Sequence, residues 1–475
     1  MGTIASSGST IVTAKTGRFR RRLVIGVIGL VLLLVGGGLA LSGLFTGGSA
    51  TTGGQDAVAV PEADLPDLGD AVPVLASLSS DAPAPSPDVL TAKLTPLLTA
   101  SGLGSGVSAE VMDVASGKVL LDLDAADPAT PASTAKLLTA TAALTTLDPA
   151  QTIETKVVAG ATPGEIVLVG GGDPTLSRTA PSQTYPGAPT VADLAKQIVA
   201  AMPAGTPVSR IVVDSSLYSG PLTAPGWGAA DAPSSYAAPV TATSVDGARV
   251  SPGSQMRSGQ PGLDAGAALA DALGAPEANI VLGQAPAGAK TIATVHSAPI
   301  SRLVEQALSM SDNMLAEALS RQVALAQHKP ASFEGAAQAI TEALSKDGLD
   351  MTGVALSDGS GLSQKDQVPA RVLTAVVSGA ADGSLHGASA LLSGLPVAGY
   401  DGTLFDRGEA GAAPGTVRAK TGTLLGVHAL AGTVVTADGR LLAFAVVADA
   451  STGGDIAAES ALDDVAAALA GCGCR

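Results

Sequence analysis

Residues 419–447 read AKTGTLLGVHALAGTVVTADGRLLAFAVV, and this stretch decides the fold class. Gly426–Val435 is strand-like, Ala437–Asp438–Gly439 is a turn, and Leu441–Val447 is strand-like again. Two aliphatic, β-branched runs separated by a short Asp-Gly turn are a hairpin signal. Ile456–Leu469 follows as an Ala/Leu helix. Strand, turn, strand and helix predict helices packed on an antiparallel sheet. A second hairpin stands far upstream in GVSAEVMDVASGKVLLDL (106–123), where Val111, Val114 and Val119–Leu121 flank Ala115–Ser116–Gly117. Both hairpins are expected in one sheet, so that an α+β domain, an antiparallel sheet with flanking helices, closes around everything between them.

The intervening chain divides by pattern. VLTAKLTPLLTA (89–100) predicts a short helix despite its proline. In DPATPASTAKLLTATAALTTL (127–147), Ser133–Leu147 predicts a buried helix, with Pro128 and Pro131 outside its first turn. Residues 151–295 hold short strands at Ile153–Val158, Ile166–Val169, Arg210–Val213, Ile280–Leu282 and Thr291–Val295. Two helices, Thr190–Ala201 and Asp264–Leu273, lie among them, as do Tyr185, Tyr218, Trp227 and Tyr236. This reads as an inserted α+β region, one module or two small ones. From Ile300 a helical period returns, with Val304, Leu308, Ser311, Leu315 and Leu319 spaced 4, 3, 4 and 4 on one face. The main domain is therefore assigned to 89–150 and 296–475, and the insert to 151–295.

Composition bounds the function. The 475 residues carry 26 Lys+Arg against 42 Asp+Glu, a net charge of −16. All five basic residues of the first 45 (Lys15, Arg18, Arg20, Arg21, Arg22) lie ahead of residue 23, and that segment has no acid. The remainder is strongly acidic, which excludes nucleic acid as a partner, because phosphate contacts need a basic surface. With 5 Phe, 4 Tyr and 1 Trp, the core must be built from Ala, Val, Leu and Ile. Leu23–Phe45 is uncharged and long enough to cross a ~30 Å hydrocarbon layer. The arginine cluster before it places residues 1–22 in the cytoplasm and the rest outside, whether 23–45 stays as a transmembrane anchor or is a cleaved signal segment. Residues 46–88, rich in Gly, Pro, Ser and Asp, read as a flexible tether, with short ordered pieces around Leu75. The two cysteines, Cys472 and Cys474, could bond to each other, to a partner or to nothing, and a frayed terminus is the preferred reading. No Cys/His spacing suits a metal, no glycine-rich nucleotide motif follows a strand, and no cofactor is expected.

Three short strings carry chemistry. In Ser133–Thr134–Ala135–Lys136, residues three apart share a helical face, so a desolvated, neutral Lys136 amine can take the Ser133 proton. In Ser311–Asp312–Asn313, Ser311 breaks an apolar face and can pass a proton between Lys136 and a leaving group. Asn313 offers both a donor and an acceptor to a substrate amide. In Lys420–Thr421–Gly422–Thr423, a glycine on an edge strand admits another backbone alongside, while Lys420 and the threonine hydroxyls can hold a carboxylate. A substrate added as an extra strand would put its carbonyl near the backbone N–H groups of Ser133 and Thr423, the candidate oxyanion hole.

The ordered triple Ser-x-x-Lys, Ser-Asp-Asn, Lys-Thr-Gly resembles the active-site set of the penicillin-binding proteins and serine β-lactamases. PASTAKLLTA (131–140), GGGDPTLS (170–177), SSYAAPVTA (234–242), MSDNMLAE (310–317), LSDGSGLS (356–363), LPVAGYDGTL (395–404) and AKTGTLLGVHALAG (419–432) narrow the resemblance. The chain resembles the low-molecular-mass class C penicillin-binding proteins, the D-alanyl-D-alanine carboxypeptidase/endopeptidase family (serine peptidase family S13). The resemblance implies a serine β-lactamase/DD-peptidase-like fold and a serine-type D-Ala-D-Ala carboxypeptidase. In that reading Ser133 is acylated, Lys136 is its base, and Ser311 and Asn313 form the second wall. Lys420, Thr421, Gly422 and Thr423 take the substrate's terminal carboxylate. Peptidoglycan peptides would be substrates and β-lactams covalent ligands. A β-lactamase or esterase on the same fold, and a non-catalytic cell-wall scaffold, are the competing readings. The family often has an asparagine where Ser244–Val245–Asp246–Gly247 stands here, and an Arg–Asn pair where Gln364–Lys365–Asp366 follows DGSGLS.

Overall fold

A computed structural model describes residues 81–203, 205–407 and 414–473, all within one compact unit. The basic segment 1–22, the apolar run 23–45, the tether up to residue 80 and Cys474 lie outside the described residues. Among the described residues no helix is long and apolar enough to cross a membrane.

Helix α1 (Pro87–Leu98) begins slightly ahead of residue 89 and leads to the hairpin β1 (Val107–Asp113) and β2 (Lys118–Leu123). A 3-10 turn (Ala132–Ala135) runs directly into α2 (Lys136–Thr146). The insert holds β3 (Glu154–Ala159), β4 (Glu165–Val169), α3 (Val191–Ala201), β5 (Arg210–Asp214), α4 (Pro261–Ala272), β6 (Asn279–Leu282) and β7 (Thr291–His296). The chain returns through α5 (Ile300–Ser309), α6 (Asn313–Ala326), α7 (Phe333–Lys346), α8 (Ala370–Asp382) and α9 (Ala390–Gly394). It closes with β8 (Val417–Leu424), β9 (Val427–Val435), β10 (Leu441–Ala448) and α10 (Asp455–Ala470).

The two hairpins do share a sheet. Its order is β2-β1-β10-β9-β8, all antiparallel, with Val111 opposite Phe444. Side chains alternate across a strand, and here both faces are covered. Leu442, Phe444 and Val446 pack with Leu90 and Leu94 of α1 and with Leu462, Val465 and Leu469 of α10. Ala443, Ala445 and Val447, with Ala429 and Ala431 of β9, belong to the other core, with Leu137 and Leu138 of α2 and residues of α5 to α8. Methyl side chains on this face let helices sit close, which is how a core poor in aromatic rings fills its space. Strand β8 is the sheet edge. The segment at 396–398 covers its beginning, with Ala398 N–H donating to Val417 O at 3.0 Å and Ala419 N–H to Pro396 O at 3.0 Å. Among the described residues, Lys420–Leu424 has no strand along its outer side.

The strands of the insert form one five-stranded sheet, order β6-β5-β4-β3-β7. β4, β5 and β6 are parallel, joined by crossovers through α3 and α4, while β3 and β7 pair antiparallel where the chain enters and leaves.

Two expectations need correction. The single helix through Val304–Leu319 is two helices, α5 and α6, broken at Ser311. Ser311 has φ 52°, a left-handed conformation that ends a helix, and Asp312 caps the next one by accepting from Met314 N at 2.9 Å and Leu315 N at 3.3 Å. Val304, Leu308, Leu315 and Leu319 still share one core, so the spacing matched packing across a break. The terminus is not frayed at Cys472, which is 1% exposed, packs into the α1/α10 core and is disulfide-bonded.

Candidate active site

Three segments distant in sequence converge on one cleft of about 780 Å³, lined by Ser133, Ser311, Asn313, Thr421 and Thr423 among others. The 3-10 turn presents Ser133, and Lys136 opens α2 one turn later. β8 runs against this turn through Gly422. A Cβ there would lie 2.8 Å from Pro131 O and 3.2 Å from Ser133 N, so only glycine lets the strand pass so near. This approach brings the β8 backbone at Gly422 beside the Ser133 N–H.

Lys136 is 1% exposed, and its Nζ has three partners: Ser133 Oγ at 2.9 Å, Asn313 Oδ1 at 2.6 Å and Ser360 O at 2.6 Å. An ammonium donates to all three. A neutral amine donates to the two fixed acceptors, Asn313 Oδ1 and Ser360 O, and is left with a lone pair facing the Ser133 hydroxyl. Burial pulls the Lys136 pKa down to about 8, against the pull of Asp358, Asp312, Glu317 and Asp366. Both protonation states are therefore accessible near neutral pH.

The sequence profile of the D-Ala-D-Ala carboxypeptidase 3 (S13) family matches residues 90–261 and 252–469. The chain belongs to this family. It is 41% identical over 468 residues to Carboxypeptidase DacB of Mycolicibacterium smegmatis, covering 96% of this chain and 99% of that protein. It is 29% identical over 440 residues to the D-alanyl-D-alanine carboxypeptidase of Actinomadura sp. strain R39, covering 74% and 79% of the two chains. The crystal structure of penicillin binding protein 4 from Haemophilus influenzae shares the fold at TM-score 0.66 and 22% identity, over 81% of this chain and 98% of that one. The same Haemophilus protein complexed with a novel β-lactam matches at TM-score 0.60.

The other residues of this S13 peptidase's cleft differ in part from expectation. Asn313 is not free to bind a substrate amide with both groups: its Oδ1 holds Lys136 and its Nδ2 donates to Tyr236 O at 3.1 Å. Lys420, expected to hold the carboxylate, does not reach the open cleft surface. It is fully buried beneath the cleft wall, and its Nζ donates to Thr421 O at 2.8 Å. Burial, and then the nearby Lys136, hold its pKa well below the usual lysine range. The cleft surface above it is made of hydroxyls: Thr421 Oγ1 lies 2.8 Å from Thr403 Oγ1, and Thr423 is exposed.

Sequence reasoning assigned no role to the residues that present Ser360 O. Asp358 accepts from the backbone N–H of Ser360 at 2.9 Å, Gly361 at 2.6 Å and Ser363 at 2.8 Å, and from Trp227 Nε1 at 2.6 Å. Glu317 accepts from Gly359 N at 3.0 Å and pairs with Arg321 at 2.8 Å. Burial, with Asp358 nearby, pushes the Glu317 pKa up to about 7 despite Arg321. Burial and Asp358 also raise Asp366 well above the carboxylate range. The signal for this loop was present in LSDGSGLS, where Asp358 holds the backbone of Ser360, Gly361 and Ser363. Asp246, within the Ser244–Gly247 stretch where an asparagine was expected, is buried at φ 51° and accepts from Ser177 Oγ at 2.9 Å and Arg178 at 3.1 Å. Aspartate tolerates that conformation nearly as well as asparagine.

Proposed function

We propose that this serine-type D-Ala-D-Ala carboxypeptidase works through an acyl-enzyme on Ser133, with peptidoglycan stem peptides as substrates and β-lactams as covalent ligands. The carrying observation is the Lys136 amine, 2.9 Å from Ser133 Oγ with its other two hydrogens committed to Asn313 Oδ1 and Ser360 O. Lys136 takes the hydroxyl proton as Ser133 Oγ bonds to the carbonyl carbon of the penultimate D-Ala. The oxyanion is held by the backbone N–H groups of Ser133 and Thr423. The C–N bond then breaks, and the proton reaches the departing D-Ala amine by way of Ser311. Water, activated by the same lysine, hydrolyses the ester. The open edge at Lys420–Leu424 suits a substrate lying as an added strand. Its terminal carboxylate falls to the Thr421, Thr423 and Thr403 hydroxyls, with Lys420 behind them.

Residues 46–475 face the cell wall in this reading, with 23–45 across the membrane or removed after export. The support is the uncharged run Leu23–Phe45 behind Arg18, Arg20, Arg21 and Arg22. A reporter active only outside the cytoplasm, fused after Arg475, is expected to work. For the chemistry, the test is the mass of the intact protein after exposure to a penicillin. One adduct, mapped to Ser133, is expected; an adduct on another serine overturns the assignment.

A further inference from the structure

Asp312 does not point into the cleft, yet it is the most heavily anchored side chain near it. It is 4% exposed, and the side chains that hold it all come from the insert. Tyr185 donates to its Oδ2 at 2.8 Å, Arg249 Nη2 lies 3.3 Å from Oδ2, and Arg257 Nη2 lies 3.3 Å from both oxygens. The holders are themselves held. Arg249 Nη1 donates to Tyr185 Oη at 2.9 Å and to Asp246 O at 3.0 Å, and Arg257 donates to Gly247 O. Tyr185 is part of the same apolar core as Leu308 of α5 and Leu315 of α6. Toward the cleft, Asp312 caps α6 through Met314 N and Leu315 N. Its neighbours in sequence are Ser311, held at φ 52°, and Asn313, whose Oδ1 holds Lys136.

We propose that Tyr185, Arg249 and Arg257 are positioning residues for the acylation step: by fixing the Asp312 carboxylate from the insert they set Ser311 and Asn313 in the cleft wall and balance a negative charge beside Lys136. The insert is then a working part of the active site and not an appendage to it. The inference rests on the assignment of Ser133 as nucleophile and Lys136 as its base.

Electrostatics give it a signature that a packing role lacks. Lys136 is surrounded by Asp358, Glu317 and Asp366 as well as Asp312, with the buried Lys420 amine nearby. Asp312 favours the ammonium form of Lys136, and two arginines offset that influence. Burial opposes ionisation of Asp312, yet Arg257 and Arg249 hold its pKa far below the carboxylate range, so it stays anionic while one arginine remains. Removing an arginine leaves more of the negative charge uncompensated, raises the Lys136 pKa and moves the acid limb of acylation to higher pH. Removing the charge of Asp312 does the reverse. Asparagine is also a good helix cap, so α6 keeps its start in Asp312→Asn.

The experiment measures acylation rates of the full-length protein by a penicillin between pH 5 and 10, with the adduct mapped, for wild type, Arg257→Met, Arg257→Lys and Asp312→Asn. Wild type must label at Ser133, and failure there overturns the nucleophile assignment itself. Given that labelling, Arg257→Met is expected to acylate about ten-fold more slowly at pH 7, with its acid limb moved up by about half a pH unit. Arg257→Lys should regain most of the rate, and Asp312→Asn should move the limb down. If Arg257→Met does not fold, the direction of the Asp312→Asn shift and the rate of Arg257→Lys decide. An unmoved acid limb in all variants, or a shift of the same sign in Arg257→Met and Asp312→Asn, overturns the proposal.

Discussion

Lys136 Nζ and Asn313 Oδ1 are 2.6 Å apart, although 177 positions separate them in sequence. The bond joins the first residue of α2 to the first residue of α6, and the entire insert is folded between them. An asparagine oxygen is a neutral acceptor. It orients the amine without fixing its charge, whereas a carboxylate at the same place would hold the proton on the lysine. The distinction explains why the third residue of Ser311–Asp312–Asn313 is an amide while the ionised carboxylate sits one residue earlier, turned away and tied to two arginines.

Asn313→Asp tests this directly. The change keeps shape but adds an anion within hydrogen-bond reach of Nζ, so the Lys136 pKa should rise by a unit or more from its value of about 8. Acylation at pH 7 should then fall at least about ten-fold and recover in part above pH 9. Rates of penicillin labelling across pH give the answer, with wild type rising toward a plateau above about pH 8 because only the neutral amine acts as a base. A wild-type rate flat from pH 6 to 10 would show that Lys136 is not the titrating base.

Ser133→Ala should abolish both penicillin labelling and release of D-Ala. Its only side-chain hydrogen bond among the described residues is the one from Lys136, which keeps Asn313 Oδ1 and Ser360 O. The stability change should therefore stay within about 1 kcal/mol. Thermal melts of the two proteins check the second half of this expectation, and intact mass the first.

What could be read from sequence and what could not divide along a physical line. The strands of both sheets were legible because β-branched runs such as Ile166–Val169, which stops at Gly170, end at glycine or proline turns, and the two hairpins shared a sheet because each needed a partner for its apolar faces. The Ser133/Lys136 pairing was legible because it is local, three residues on one turn. The break at Ser311 was not: apolar spacing survives across two helices that pack on the same core, and a positive φ leaves no mark in the apolar pattern. Nor was the burial of Lys420, since a lysine on an edge strand normally reaches water. The anchoring of Asp312 by Arg249 and Arg257 was invisible for a different reason. It is made by charges brought together from 63 and 55 residues away, and their pairing depends on how the insert folds back.

Glu110 gives a pH-dependence of stability independent of the cleft. It lies on β1 at 5% exposure, opposite Asp122, and its Oε1 is buried without a hydrogen-bond partner. Burial first, and Asp122 second, push its pKa from 4.5 to about 7, against Arg371. A carboxyl raised in the folded state stabilises below its unfolded pKa and loses that contribution as pH rises through about 7. Glu110→Gln should therefore be more stable than wild type at pH 8.5 by on the order of 1–3 kcal/mol and nearly equal to it at pH 4. Urea denaturation at the two pH values measures it; equal differences at both would mean that Glu110 does not titrate in this range.

The carboxylate clamp tests the remaining part of the cleft. Lys420 lies under Thr421, and the hydroxyls of Thr421, Thr403 and Thr423 form the surface above it. A terminal carboxylate bound there would accept from these hydroxyls and favour the charged form of Lys420, whose pKa burial otherwise depresses. Charge-assisted bonds in a desolvated groove contribute roughly 1.5–3 kcal/mol, so Lys420→Ala should lower kcat/KM for a D-Ala-D-Ala peptide about ten- to a hundred-fold. Amidating the peptide's terminus should cost wild type a similar factor. The two changes remove one interaction, so amidation should cost Lys420→Ala little more. Thr403→Val removes a hydroxyl but no charge, so it should cost less than Lys420→Ala with the free acid and almost nothing with the amide. Equal losses on amidation in wild type and Lys420→Ala would take the carboxylate away from Lys420. It would then belong to the threonines alone or to Arg407, which lines the same cleft but is bound to Asp463 at 2.7 Å.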